Sequence, residues 1–352
     1  MGLLTIGRHA RVIVTGGAGF IGTRLSRRLM ADGATVTVLT RHVDSPNARA
    51  LAAAGATLIP GDLAADLSPA TVAALPTGAH LFHFAASTAV DGPGVRGANV
   101  DGTRRALDLA ARLNASQVLF ASSIEAQGLS ADAGARLSES DPCHPVSPYG
   151  RSKLEAESLV AEWSARSGTK AVALRIGNTY GPGSAWLVQS ALLLCFGKGS
   201  LHPVWPALRH RAFQPLYVDD LVDAVVRVAA LPGSGLFNVT GGTTVTFEDY
   251  LTTLAGLLGV CEPMRALWQR EPSVSSAAAS VAPDFAYFLM GDEARCHRVY
   301  DNGALEAAIG PYVRWSLPRG LAATLAWYRD SGPWQALVQS RRMQGSELCM
   351  SH

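Results

Sequence analysis

Apolar and polar positions follow two rhythms along the first half of the chain. Short apolar runs at Arg11–Thr15, Thr35–Thr40, 56–60, 79–85, 117–122 and Lys170–Ile176 read as strands. Thr35–Thr40 is rich in β-branched residues and is the plainest of them. Between them the spacing changes to that of helices. Ile21, Leu25 and Leu29 recur at i, i+4 and i+8 on one helix face that stops at Asp32-Gly33. Further helical patterns lie near 46–54, 95–114 and 148–167. Strand–helix alternation of this kind predicts βαβ units with right-handed crossovers and ligands held beyond the strand C-terminal ends. The expected class is α/β: a Rossmann-type doubly wound parallel sheet with a smaller, mostly C-terminal substrate-binding lobe.

The pattern loosens after Gly183. Residues 184–213 hold an apolar helix candidate and a loop with Pro203 and Pro206. A short strand at 215–218, a helix over 219–230 and a strand at 236–239 follow. From 247 onward helical segments are separated by a Ser/Ala/Pro stretch at 271–283, read as a mobile loop or lid. The expected division is a dinucleotide-binding domain over 1–182, to which 214–240 returns, and a substrate lobe from 183–213 and 241–330. A polar tail covers 331–352. No internal repeat is present.

Composition narrows the function classes. Apolar residues make up 48% of the 352, enough for a substantial core. A net charge of +2 gives no nucleic-acid footprint and no pull toward anionic membranes. No apolar run reaches the roughly 18 residues that span a bilayer. The opening MGLLTIGRHA leads straight toward a strand without a signal-peptide core, so a cytoplasmic protein is expected. The five Cys form no C-x-x-C pair and have no His at zinc-ligand spacing, which argues against a disulfide framework and a metal site.

The first strand runs into Thr15-Gly16-Gly17-Ala18-Gly19-Phe20-Ile21-Gly22 and then a helix. Glycine here permits a tight turn, close approach of backbone to a pyrophosphate, and close helix–strand packing. The helix N-terminus then offers free N–H groups to the phosphates. A lone glycine motif is weak, but one that follows a strand and opens a helix has its confirming context. At the end of the second strand, where an acid usually holds the NAD ribose, the chain reads Thr40-Arg41-His42. Arg41 matches a 2′-phosphate instead, so NADP is preferred over NAD.

These residues and those that follow resemble the extended short-chain dehydrogenases/reductases, also called the NAD-dependent epimerase/dehydratase family. The marks, in the family's order over about residues 10–330, begin with TGGAGFIG, Gly61-Asp62-Leu63, His83-Phe84-Ala85-Ala86 and Asn99-Val100-Asp101-Gly102-Thr103. Then come Ser122-Ser123, Ser147-Pro148-Tyr149-Gly150-Arg151-Ser152-Lys153, Leu174-Arg175-Ile176-Gly177-Asn178 and Val218-Asp219-Asp220-Leu221. The resemblance implies that Asp62 and Leu63 contact adenine, Ala85 and Ala86 line the cofactor path, and Asn99 braces the sheet. It adds Gly16, Gly19, Phe20, Ile21, Gly22, Ser122 and Ile176 to the cofactor side. On the substrate side it implies Ser87, Glu125, Asn178, Arg211 and Arg298. Family members are often dimers, and a homodimer through the helix carrying Tyr149, with Leu159 and Trp163, is compatible with the sequence.

Tyr149 and Lys153 stand at i, i+4 on one helix face, with Ser147-Pro148 as cap and first-turn proline. With only three Lys in the chain (Lys153, Lys170, Lys198) and eight Tyr, this pair is informative. A tyrosine is a poor acid–base group at its free pKa of about 10. A cation about 4 Å away, at an effective dielectric of about 20, contributes about 4 kcal/mol. Lys153 is therefore expected to bring Tyr149 toward neutrality, with Ser123 holding the substrate oxygen. The family's dehydratases carry Asp-Glu after the catalytic Ser/Thr; here Ser123-Ile124-Glu125 keeps only the Glu, which disfavours dehydration. The sequence therefore reads first as an NADP(H)-dependent ketoreductase or alcohol dehydrogenase acting on a small ketone, secondary alcohol or keto-sugar. A nucleotide-sugar epimerase with retained NAD is the alternative, and a catalytically silent dinucleotide sensor or scaffold a third reading. Trp186, Phe196, Trp205, Phe213, Phe285, Tyr287 and Phe288 are candidates for an apolar substrate pocket.

Overall fold

The computed structural model describes residues 6–88, 94–184, 209–259 and 297–330. The aromatic candidates Trp186, Phe196, Trp205, Phe285, Tyr287 and Phe288, the stretch 271–283 and the tail 331–352 lie outside the described residues.

Seven parallel strands form the main sheet. In chain order they are β1 (Arg11–Thr15), β2 (Thr35–Thr40), β3 (Thr57–Pro60), β4 (His80–His83), β5 (Gln117–Ser123), β6 (Lys170–Ile176) and, late in the chain, β10 (Gly235–Val239). Their spatial order is β10-β6-β5-β4-β1-β2-β3. The chain winds outward from β1 to β3, returns to place β4 on the other side of β1, and continues to the opposite edge. That reversal between β1 and β4 is the switch point at which a doubly wound sheet opens a crevice. Short pairs lie outside the sheet: β7 (Thr179–Tyr180) beside β9 (Leu216–Tyr217), and β8 (Ala212–Phe213) beside β11 (Val245–Thr246). The expected strand at 215–218 thus belongs to a separate two-stranded sheet.

Strand alternation sorts the core onto both faces of the sheet. Val12, Val14, Leu119, Ala121, Val172 and Leu174 pack on one side with Leu25 and Leu29 of α1 (Phe20–Ala31) and Leu221 and Val225 of α7 (Val218–Ala229). Ile13, Val118, Phe120, Ala171 and Ala173 pack on the other with α5 (Gly102–Arg112) and α6 (Pro148–Ser167). Strands buried on both faces are what helices on both sides require. Trp163 of α6 is 9% exposed and belongs to this second cluster, with Leu159 partly buried against it. Helices α2 (Pro46–Ala53) and α3 (Pro69–Ala73) complete the first half. The helical pattern near 95–114 is three pieces: α4 (Gly94–Arg96), a π-helical turn (Gly97–Asp101) and α5. Such turns often mark functional sites, and this one carries Asn99.

A second, smaller core gathers around Phe213, Phe247 and Tyr250, whose rings lie 5.7–6.4 Å apart. Phe247 and Tyr250 come from α8 (Phe247–Leu258), whose N-terminus is closed by a capping box of Thr246 and Asp249. Isolated bridges tie the C-terminal segment to it and to the loop after β5: Phe213 to Arg298, Ser130 to His297 and Leu137 to Tyr300. Two helices follow, α9 (Gly303–Ile309) and α10 (Leu317–Arg329).

Candidate active site

A cavity of about 560 Å³ opens at the switch point. One wall is backbone. Gly16 turns with φ +69°, and a Cβ on Gly22 would meet the Gly16 carbonyl oxygen at 2.1 Å, so both positions exclude a side chain. Helix α1 begins at Gly19 with no side-chain cap and no acidic residue in its first turn. Its first N–H groups and positive dipole end are therefore left for an anion, and Gly19, Phe20, Ile21 and Gly22 line the cavity. A glycine cradle under an uncapped helix start fits the pyrophosphate of a dinucleotide.

The opposite wall is side chains. Helix α6 starts where Ser147 accepts from the Gly150 amide at 2.8 Å, with Pro148 at the first position. A Cβ on Gly150 would meet the Glu125 carbonyl oxygen at 2.3 Å, so this glycine lets the helix start press against the turn after β5. The consequence is register: three successive residues at the end of β5 receive three successive turns of α6. Ser123 shares a side-chain hydrogen bond with Tyr149. The Ala121 carbonyl accepts from Lys153 Nζ at 2.8 Å. Ser122 Oγ donates to Glu157. Ser123, Tyr149 and Lys153 line the cavity together with Ser122, Ile176, Glu125 and Asn178.

The electrostatics correct one expectation. Lys153 Nζ lies 5.8 Å from the centre of the Tyr149 ring and 4.9 Å from that of Phe120. Burial lowers Lys153 from 10.5 to about 7, opposed by the carboxylate of Glu157. Burial also pushes the Tyr149 phenol well above its ordinary value; the Ser123 hydrogen bond opposes this, and the charge of Glu125 adds to it. Lys153 therefore does not by itself bring Tyr149 toward neutrality, because desolvation disfavours both charged forms.

Sequence reasoning missed the pairings behind this wall. Glu157 and Arg175 form a buried two-point ion pair, Nη2 to Oε2 at 2.9 Å and Nε to Oε1 at 3.0 Å. The same guanidinium reaches Cys143 Sγ at 3.1 Å. Its signal was available: a single Arg inside the apolar strand β6 needs a buried partner. Glu125 pairs with Arg298, whose Nε and Nη2 donate to Oε1 at 3.2 and 3.1 Å, and Ser147 Oγ lies 3.4 Å from Oε2. Arg298 and Glu125 are 1% and 3% exposed, so the guanidinium expected to hold a substrate phosphate is engaged with a carboxylate.

A second chain of hydrogen bonds runs beneath the switch point. Thr103 Oγ1 donates to the Asn99 carbonyl at 2.6 Å, so His83 Nε2, 3.2 Å away, donates to Thr103. Nδ1 is then the acceptor for Thr15 Oγ1 at 2.7 Å, and Thr15 accepts in turn from the Ala85 amide at 3.3 Å. Burial lowers His83 to about 3, with Lys153 adding to the shift, so the ring is a neutral strut. The Asn99 amide donates to Ser152 Oγ at 2.9 Å and to the Ser87 carbonyl at 3.0 Å, and accepts from the Ser87 amide at 2.8 Å.

The remaining sequence candidates are placed as follows. Asn178 is buried and lines the cavity, and its Oδ1 has no hydrogen-bond partner among the described residues. Ala86 lines the cavity, and Ala85 follows β4. Arg41 is exposed just beyond β2, and Asp62 is exposed with Oδ1 accepting from the Ala64 amide, while Leu63 is buried. Arg211 is buried next to β8 and does not line the cavity. Among the described residues no group of three or more His, Cys, Asp or Glu is placed to hold a metal, and no helix is long and apolar enough to cross a membrane.

Comparison with known proteins agrees with this geometry. The model of the NAD dependent epimerase/dehydratase family matches residues 12–240. A dTDP-glucose 4,6-dehydratase of Actinoplanes sp. is 36% identical over 353 residues, covering 92% of this chain and 99% of that protein. A UDP-glucose 4-epimerase of Mycolicibacterium smegmatis is 28% identical over 351 residues, covering 91% and 99%. The crystal structure of DesIV, a dTDP-glucose 4,6-dehydratase from Streptomyces venezuelae with NAD and TYD bound, superposes with a TM-score of 0.75 at 25% identity over 93% of this chain and 99% of that one. Switch-point cavity, glycine cradle, Tyr149–Lys153 helix and full-length similarity converge: this chain is a member of the NAD-dependent epimerase/dehydratase family.

Proposed function

We propose that this enzyme is a nucleotide-sugar epimerase that keeps NAD and recycles it. The observation that carries the reading is the composition of the cavity wall beside Ser123. An elimination of water needs an acid for the departing hydroxyl. Here the next residue is Ile124, buried and apolar, and Glu125 beyond it is held by Arg298. What remains is the set for moving one proton while a carbon–hydrogen bond is oxidised and re-formed.

Ser123 holds the hydroxyl of a ring carbon against Tyr149, and Tyr149 takes its proton as that carbon is oxidised. A dinucleotide held in this cavity would supply the hydride-transfer chemistry and, when oxidised, a positive charge that favours the phenolate. Lys153 adds the second charge that favours the phenolate. When the carbonyl is reduced again from its other face, Tyr149 would give the proton back. The turn Gly16–Gly22 and the α1 N-terminus would hold the pyrophosphate.

The curated UDP-glucose 4-epimerase spans nearly the whole chain, which supports this reading, and NAD bound to DesIV favours NAD over the NADP expected from Arg41. Arg41, at the end of β2 with no acid beside it, favours the exchangeable-cofactor reductase as second reading. Freshly purified protein should release stoichiometric NAD on denaturation, seen by mass spectrometry. It should then interconvert UDP- or dTDP-hexose epimers without added cofactor. Protein that comes empty and turns over only with added NADPH would replace the proposal with the reductase.

A further inference from the structure

Three carbonyl or hydroxyl groups at the end of β5 are tied to three turns of α6, and only two of those ties involve residues placed in the chemistry. The third is Glu157. It stands one turn beyond Lys153, about 6 Å along the helix axis. Its carboxylate accepts from Ser122 Oγ, the neighbour of Ser123, and is anchored by Arg175, which is paired across β5 and β6 at the level of Ser122. Both members of the ion pair are buried, at 8% and 3% exposure.

We propose that Glu157 is a positioning residue: its buried carboxylate, fixed by Arg175 and Ser122, keeps the Lys153 ammonium charged beside Tyr149 and locks the strand end that carries Ser123. The inference rests on the reading that Tyr149, Lys153 and Ser123 perform the proton transfer.

The surroundings of Lys153 make Glu157 the charge that matters. From its own helix it faces Tyr149, which is neutral, and Glu157. From β4 it faces His83, also neutral and satisfied on both ring nitrogens. From β5 it meets the Phe120 ring and the Ala121 carbonyl. Arg175 on β6 is paired with the Glu157 carboxylate, and Glu125 acts on Tyr149. Glu157 is the charge that counters the desolvation of Lys153. A buried ion pair adds little net stability against an apolar pair of the same shape, so its presence here calls for another role.

The chain has only three lysines, so ¹³C-labelled lysine gives three signals, and Lys153→Met assigns one of them. Titration of the full-length protein should place the Lys153 midpoint near 7. In Glu157→Gln the midpoint should fall by about one unit. That variant leaves the Arg175 guanidinium without its carboxylate and is expected to be less stable. The double variant Glu157→Gln/Arg175→Gln removes the orphaned charge. It should recover stability yet keep the lowered midpoint. A wild-type midpoint in either variant would overturn the inference, since a purely structural pair would affect melting and leave the titration alone. Turnover by Tyr149→Phe and Lys153→Met is measured alongside. If sugar conversion survives both, the catalytic reading fails, while the Lys153 midpoint still decides the role of Glu157.

Discussion

The two walls of the cavity are made of different material. The glycine wall is main chain, with its polar groups left open: an uncapped helix start and a turn in which side chains are excluded by contact with backbone. The opposite wall is side chain, and much of its polar material is already committed, Ser122 to Glu157, Glu125 to Arg298 and the Lys153 ammonium to the Ala121 carbonyl. A wall of main chain recognises what many ligands share, a pyrophosphate. A wall of committed side chains does chemistry, because its few open groups are held at fixed places. Asn178 is the exception in the second wall: its Oδ1 has no partner among the described residues.

The sharpest way to separate the walls is to damage one and watch the other. Tyr149→Phe removes one oxygen from the side-chain wall. Turnover should fall by about 10²–10⁴-fold. Stability should change by no more than about 1 kcal/mol, the worth of a single hydrogen bond. Dinucleotide retention should be unchanged, checked by mass spectrometry of the denatured protein. Joint loss of dinucleotide and turnover would mean that the walls are not independent.

Arg298→Met tests the commitment itself. It strands the Glu125 carboxylate in a site with 3% exposure. Removing one partner of a buried pair costs about 3–5 kcal/mol, readable in chemical denaturation. Adding Glu125→Gln should restore most of this. Restoration shows that Arg298 is there for Glu125; if the loss persists in the double variant, Arg298 serves something else.

Gly22→Ala attacks the main-chain wall. The added methyl would sit 2.1 Å from the Gly16 carbonyl oxygen, and main chain cannot step aside as a flexible side chain can. A stability loss of about 1–3 kcal/mol is expected, with purified protein carrying little dinucleotide. A fully loaded Gly22→Ala protein would remove the glycine cradle from the argument.

The same contrast explains what the sequence could tell. The glycine wall is local: Gly16, Gly19 and Gly22 lie within seven positions, and their spacing carries the geometry. Strands β1, β2 and β6 were legible to the residue because β-branched runs buried on two faces have no other reading. Tyr149 and Lys153 were legible because a helix face joins i and i+4. The commitments were not, because they join residues far apart in the chain: 18 positions for Glu157–Arg175 and 173 for Glu125–Arg298. Pairing at that range depends on how helices dock on the sheet, here on Gly150 letting α6 settle against the turn after β5. The direction of the Tyr149 shift escaped for a related reason. Sequence places the charge beside the phenol but does not say that both are taken out of water.

The smallest expected effect belongs to Arg41, and its smallness is informative. Arg41 is exposed just beyond β2 and is a surface substitution by position, so Arg41→Ala should move stability by less than about 0.5 kcal/mol. If the resident dinucleotide is NAD, the ribose carries no phosphate for the guanidinium to meet, and NAD affinity should change less than about threefold. A charge-assisted contact to a 2′-phosphate is worth about 1.5–3 kcal/mol, which is about 10- to 150-fold in affinity. Isothermal titration of emptied protein with both dinucleotides, in wild type and Arg41→Ala, reads the difference directly. A large loss confined to NADP would extend the side-chain wall around the rim and revive the exchangeable cofactor. Equal, small changes would leave recognition to the glycine turn and the α1 N-terminus, where main chain binds what both dinucleotides have in common.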